Sequence, residues 1–260
     1  MADAEAALTT LTSGIDAGVA RIGLNRPEVR HAINHTMVLE MTALLGRLGR
    51  DPAVRALVIT GEGGTCFASG ADIGELRDRT SREALQALNA GLFQAVEDFP
   101  RPTIAAIRGL ALGGGLELAL ACDLRVASRS AKLGLPEVTL GIYPAAGGTW
   151  RLPRLIGLGH AKELVFTGRI IEGDEAYALG LVEQVVVDSE VESTAMELAM
   201  RIAQNAPLAV QMAKVSFQAA ARGGDPTVSE RLGQALLFDS KEKHERMTAF
   251  LEKRTKKGVR

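Results

Sequence analysis

The chain has 260 residues and a formal net charge of −1, with 47% apolar and 23% charged residues. That size and balance describe one large globular domain, or one domain with an appendage, and give no global attraction to nucleic acid or to an anionic membrane. No apolar run approaches the roughly 18 residues of a membrane span, and the acidic start "MADAEAALTT" lacks a targeting pattern. Two cysteines without paired spacing, Cys66 and Cys122, point to a reducing, cytoplasmic location.

In chain order, "VARIGL" (19–24) alternates with period two, which predicts a half-buried strand. A polar, Pro-containing loop (25–34) follows, then helical spacing over 35–50, stopped by Asp51-Pro52. "VRALVIT" (54–60) reads as a buried strand and 61–72 as a Gly-rich loop. Ser81 is the expected cap of a long helix reaching Phe99, with Glu83 in its first turn. "PTIAAI" (102–107) and "DLRVA" (123–127) are further strands flanking "GLALGGGLELALACD" (109–123). Beyond residue 150 helices are expected over 149–156, 159–167, 173–179, 190–204, 207–221 and 227–251, interrupted by a strand at 180–187. Strand–helix alternation followed by consecutive helices predicts an α/β core (1–195) with a helical C-terminal region (196–260).

Gly113, Gly114 and Gly115 stand beyond the 102–107 strand and open an apolar helix, an arrangement that bares backbone N–H groups to a ligand. A tight packing turn explains the glycines equally well. The spacing fits neither a dinucleotide fingerprint nor a P-loop. Glu117 sits in that helix among Leu116, Leu118 and Ala119, so burial should raise its pKa and let it trade protons near neutrality. The bland alternative is a buried ion pair with Arg125 or Arg151. Glu137, in "GLPEVTLG", is a second carboxylate in apolar surroundings; both glutamates beyond strand ends of one sheet make a general acid–base pair. "FASGADI" (67–73) can aim amides into the same cleft and, with those near Gly114, complete a two-donor oxyanion hole. Ser69 lacks the elbow and partners of a hydrolase nucleophile. His31 and His35 lack the surroundings of a metal site, and Cys66 reads as packing. The basic end "FLEKRTKKGVR" reads as a solvated tail over its last five residues, with Lys253 and Arg254 able to meet ligand phosphates.

These motifs, from "NRPEVRHAIN" through "FASGADI", "PTIAAIRGLALGGGLELALACDLRVAS" and "LGLPEVTLGIYPAAGGTWRLPRLIG" to "MTAFLEKR", together resemble the crotonase (enoyl-CoA hydratase/isomerase) superfamily. The likeness is greatest to enoyl-CoA hydratases, including the methylglutaconyl-CoA hydratase branch. The resemblance implies a ClpP/crotonase-like spiral α/β core of repeated ββα units and a helical C-terminal trimerisation region. It implies addition of water to a 2-enoyl-CoA to give a 3-hydroxyacyl-CoA, the hydration step of fatty acid β-oxidation. Glu117 would be the base and Glu137 the acid, and the amides of Ala71 and Gly114 the oxyanion hole. Arg30, Ala32, Ile33, Ala71, Asp72, Ile73 and Gly74 would hold coenzyme A, with Phe238 and Lys253 near the ligand across a subunit boundary. Coenzyme A enters as part of the substrate; no separate cofactor, metal, nucleic acid or membrane partner is implied, and the chain would form a homotrimer or a dimer of trimers. An enoyl-CoA isomerase is the runner-up within the enzymes, and an RNA- or protein-binding relative the alternative outside them. Ala145 and Trp150 depart from the family pattern beyond Glu137 and put the acyl chain's length and branching in question.

Overall fold

The computed structural model describes residues 8–258, with side chains up to residue 254. The expectation for the first seven residues, and that for residues 259–260 of the C-terminal tail, lie outside the described residues. Two compact units divide the chain, Met1–Met200 and Arg201–Arg260.

The first unit begins with β1 (Leu11–Asp16), β2 (Val19–Leu24), α1 (His35–Arg50) and β3 (Ala56–Gly61). Three helices follow, α2 (Ile73–Asp78), α3 (Ser81–Ala84) and α4 (Leu88–Glu97), then β4 (Thr103–Ile107) and β5 (Leu110–Leu112). Next come α5 (Gly114–Ala121), β6 (Leu124–Ser128), β7 (Lys132–Gly134) and α6 (Gly148–Thr167). The unit continues with β8 (Ile170–Glu172), α7 (Gly173–Ala178) and β9 (Gln184–Val186), and α8 (Val191–Ala203) runs across its end. The second unit holds α9 (Pro207–Ala221), α10 (Pro226–Phe238) and α11 (Lys241–Gly258).

Six strands form the main sheet in the order β1-β2-β3-β4-β6-β9, parallel except for the β1–β2 hairpin. β3 ("ALVITG") and β4 ("TIAAI") are buried along their whole length, as parallel strands covered on both faces require. α1 turns Met37, Val38, Met41, Leu44, Leu45 and Leu48 into the core, one apolar stripe at helical spacing. Asn34 caps it by accepting from the Met37 amide at 2.9 Å. β5, β7 and β8 make a separate three-stranded sheet in which β5 and β7 run parallel.

Several expectations are corrected. β2 is buried nearly throughout, because it lies between β1 and β3 rather than at an edge. The helix expected from Ser81 to Phe99 is two helices: Thr80, not Ser81, forms a capping box with Glu83, and Ala87 in left-handed conformation (φ 49°) separates α3 from α4. The strand at 180–187 shortens to Gln184–Val186. The span 227–251 breaks at Asp239-Ser240, and α11 continues to Gly258, into the stretch read as tail. The glycines follow β5 of the small sheet, not β4 directly.

Candidate active site

The three consecutive glycines do three different things. Gly113 has φ 50° and ψ −126°, a conformation strained for any residue with a side chain, and it turns the chain sharply from β5 into α5. Gly114 gives room: a Cβ there would lie 3.3 Å from the Ala71 nitrogen. Gly115 permits close packing, since a Cβ on it would run into the Ala68 carbonyl.

Ala71 is positioned from the other side. The Ile33 N–H donates to Gly70 O at 2.8 Å and the Asp72 N–H to Ile33 O at 3.0 Å, a parallel bridge that pairs the residues flanking Ala71. Alternating backbone direction then turns the Ala71 N–H away from Ile33. It has no acceptor among the described hydrogen bonds, and neither has the Gly114 N–H, the first orphan donor of α5. Two unpaired amides therefore stand side by side at a helix N-terminus, where the dipole favours negative charge.

Glu117 sits one turn into α5, 4% exposed. Its Oε1 accepts from the Ala146 amide at 2.8 Å and the Gly148 amide at 2.9 Å. Burial pushes its pKa up from the ordinary carboxylate range, while those two amides and the charge of Arg151 pull it back. The ion-pair alternative fails on geometry. Arg125 is spent on Glu183 and on the carbonyls of Leu181 and Cys122, and Arg151 on Glu97.

Glu137 lies on a short 3-10 turn, Pro136–Leu140, just beyond β7. Leu112 of β5 pairs with Gly134 of β7, so α5 and this turn leave neighbouring ends of one small sheet. A Cβ on Gly113 would lie 3.2 Å from Glu137 Oε1, which puts that carboxylate against the N-terminus of α5. Both its oxygens are buried without a hydrogen-bond partner. Burial raises its pKa to about 7; its own amide works against the rise, and the nearby Glu117 charge adds to it. One carboxylate thus accepts from two amides with the Arg151 charge nearby, and the other has neither.

Among the other candidates, Asp72 caps α2 by accepting from the Gly74 amide and pairs with Arg26 at 3.2 Å. Arg30 is exposed and left-handed (φ 52°), Ala32 and Ile33 are buried, and Ile73 is exposed. Phe238 and Lys253 are exposed residues of α10 and α11 in the second unit, whereas the site above lies in the first. Ser69 Oγ donates to Val29 O, and burial raises the Cys66 thiol's pKa. His31 is buried, accepting from the Arg26 amide and facing the Glu62 carbonyl. Trp150 stands at the start of α6 with the Arg151 guanidinium 4.0 Å from its ring centre. The Ala146 and Gly148 amides escaped the sequence reading; the paired glycines of "PAAGGTW" were the available signal.

The fold is mixed α/β, and the carboxylates of Glu117 and Glu137 lie close to the Ala71 and Gly114 amides, the arrangement the crotonase resemblance anticipates. Comparison with known proteins agrees: the enoyl-CoA hydratase/isomerase family model matches residues 14–257. A short-chain-enoyl-CoA hydratase of Clostridium acetobutylicum is 41% identical over 248 residues, covering 93% of this chain and 94% of that protein. A crotonyl-CoA hydratase of Syntrophomonas wolfei is 42% identical over 244 residues, covering 91% and 92%. The crystal structure of an enoyl-CoA hydratase from Bacillus anthracis superposes with a TM-score of 0.90 at 38% identity, covering 94% of this chain and 97% of that one. The chain belongs to the enoyl-CoA hydratase/isomerase family. It is a hydro-lyase with enoyl-CoA hydratase activity.

Proposed function

We propose that this protein hydrates short-chain 2-enoyl-CoA thioesters, with Glu117 as base, Glu137 as acid and the Ala71 and Gly114 amides as the oxyanion hole. The observation that carries the assignment is the contrast between the two carboxylates. Glu117 has two amide donors that favour its anion, whereas Glu137 has no partner and holds its proton up to about pH 7. In this reading the pair carries one proton before the reaction, on Glu137. Glu117 takes a proton from water as the oxygen bonds to C3. The C2–C3 π electrons move onto the thioester oxygen, where the two amides hold the enolate. Glu137 then delivers its proton to C2 as the enolate collapses. A single oxyanion donor contributes about 10²–10³ in rate, and acid–base help about 10²–10⁴.

The loop from Arg30 to Ile33 and the segment Ala71–Gly74 hold coenzyme A in this reading, with Phe238 and Lys253 of a neighbouring subunit near the ligand. The short chain is supported by the two similar hydratases named for short-chain and crotonyl substrates. The C-terminal helices serve oligomerisation, as a trimer or a dimer of trimers. Phe217, Leu232, Leu236, Phe250 and Met247 leave a broad apolar surface on α9–α11, in keeping with that role. Two buried cysteines that are not joined in a disulfide fit the cytoplasm. The place in fatty acid metabolism is the hydration step of β-oxidation.

A hydration assay over crotonyl-CoA, longer 2-enoyl-CoAs and 3-methylglutaconyl-CoA tests the reading. Fastest turnover is expected on crotonyl-CoA. Fastest turnover on the branched acid would move the chain to the methylglutaconyl branch. Conversion of a 3-enoyl-CoA to the 2-enoyl isomer without hydration would make it an isomerase.

A further inference from the structure

Arg151 and Glu97 form an enclosed ion pair beside the site, their side chains 5% and 14% exposed. Arg151 Nε and Nη2 both donate to Glu97 Oε2, at 2.8 and 2.6 Å. The remaining arm, Nη1, donates to Ala146 O at 3.0 Å. The N–H of that same residue donates to Glu117 Oε1 at 2.8 Å. Guanidinium and carboxylate thus grip opposite ends of Ala146. The next residue, Gly147, is left-handed (φ 119°), and a Cβ on it would strike Arg151 Nη1. The loop therefore lies directly on the guanidinium, whose plane stacks on Trp150.

Charge points the same way. Of the elements packed around Glu117, α6 supplies Arg151, the 3-10 turn supplies Glu137 and α4 supplies Glu97, already paired with Arg151. β4 ("TIAAI") and β5 ("LAL") carry no titratable residue. We propose that Arg151, held in place by Glu97, is a positioning residue for Glu117. It fixes the Ala146–Gly148 loop that orients the carboxylate, and it brings a positive charge close to that carboxylate. This rests on the reading that Glu117 takes the proton from water.

The test is the pH dependence of kcat/KM for crotonyl-CoA hydration in the wild type, Arg151→Met, Arg151→Lys, Glu97→Gln and Glu117→Gln, with folding followed by circular dichroism and thermal melts. Loss of the cation in Arg151→Met should raise the acidic limb by about one pH unit. It should also cut kcat by about tenfold or more through the loosened loop, with KM little changed. Arg151→Lys keeps the charge but not the fork, so the limb should stay near the wild type while kcat falls part of the way. Glu97→Gln removes the counter-charge and should move the limb the opposite way, to lower pH. A merely structural pair would scale activity with the folded fraction and leave the limb in place. Unmoved limbs in folded Arg151→Met and Glu97→Gln, beside an inactive Glu117→Gln, would overturn the proposal alone. Should Arg151→Met fail to fold, Arg151→Lys and Glu97→Gln decide it by the same criterion. Wild-type turnover in Glu117→Gln would overturn the base assignment first, and the proposal with it.

Discussion

Replacing Glu137 by glutamine should abolish hydration and at the same time make the protein more stable at alkaline pH. Both oxygens of Glu137 are buried without a partner, and its pKa stands at about 7 in the folded protein against 4.5 in the unfolded chain. Below pH 4.5 the group is protonated in both states and does not discriminate between them. As the pH climbs, the unfolded chain ionises while the folded protein keeps its proton, so stability is lost up to about pH 7 and then levels off. The full difference corresponds to roughly 3 kcal/mol. Glu137 is only half-buried as a residue, and screening by water reduces the effect to about 1–2 kcal/mol. Glutamine never ionises and escapes this loss. Its amide has no acceptor waiting, but that penalty is the same at every pH. Urea denaturation of both proteins at matched concentration from pH 5 to 8 measures the difference. The variant should gain on the wild type as pH rises, by about 1–2 kcal/mol at pH 8, while its hydration rate drops by about 10²–10⁴. A stability difference that does not change with pH, or a wild type that gains on the variant towards pH 8, would refute the reasoning.

The same pair predicts a bell-shaped pH profile for kcat/KM: a rise as Glu117 ionises, and a fall as Glu137 loses its proton near the value of about 7 set by its burial. Gly114→Ala should place a methyl 3.3 Å from the Ala71 nitrogen, in the space of the proposed oxyanion hole; kcat should drop by about 10²–10³ at an unchanged melting temperature. Arg125→Met should leave the Leu181 and Cys122 carbonyls and Glu183 without their buried donor. Urea denaturation should show a loss of about 3 kcal/mol, with turnover per folded molecule unaltered.

Much of the main sheet was legible because its signals are local. β3 and β4 are short β-branched runs, and α1 carries its apolar stripe at unbroken helical spacing between an asparagine cap and Asp51-Pro52. What escaped depends on partners distant in the chain. β1 ("LTSGID") has no apolar run of its own and exists by pairing with β2. β5, β7 and β8 are three residues each, too short for any period, and are strands only because they find one another. The break at Ala87 carries no glycine or proline; an exposed alanine there takes the left-handed conformation against its own preference, which no local sequence signal announces.

The site divides along the same line. Glu117 announced itself, since an ionisable residue inside an otherwise apolar helix is a local anomaly. Glu137 was legible as a second carboxylate among apolar neighbours, but its isolation arises only when β7 pairs with β5 and brings it against Gly113. The difference between the two carboxylates is least legible of all. It arises from a third segment, Ala146–Gly148, whose amides reach Glu117 from across the fold and leave Glu137 unserved. Composition supplies two glutamates of equal intrinsic acidity, and the loop that hydrogen-bonds one and not the other sets them apart, as the proposed division into base and acid requires. Swapping the glutamates for aspartates would therefore test reach, whereas moving the loop, as the Arg151 variants do, tests the asymmetry itself.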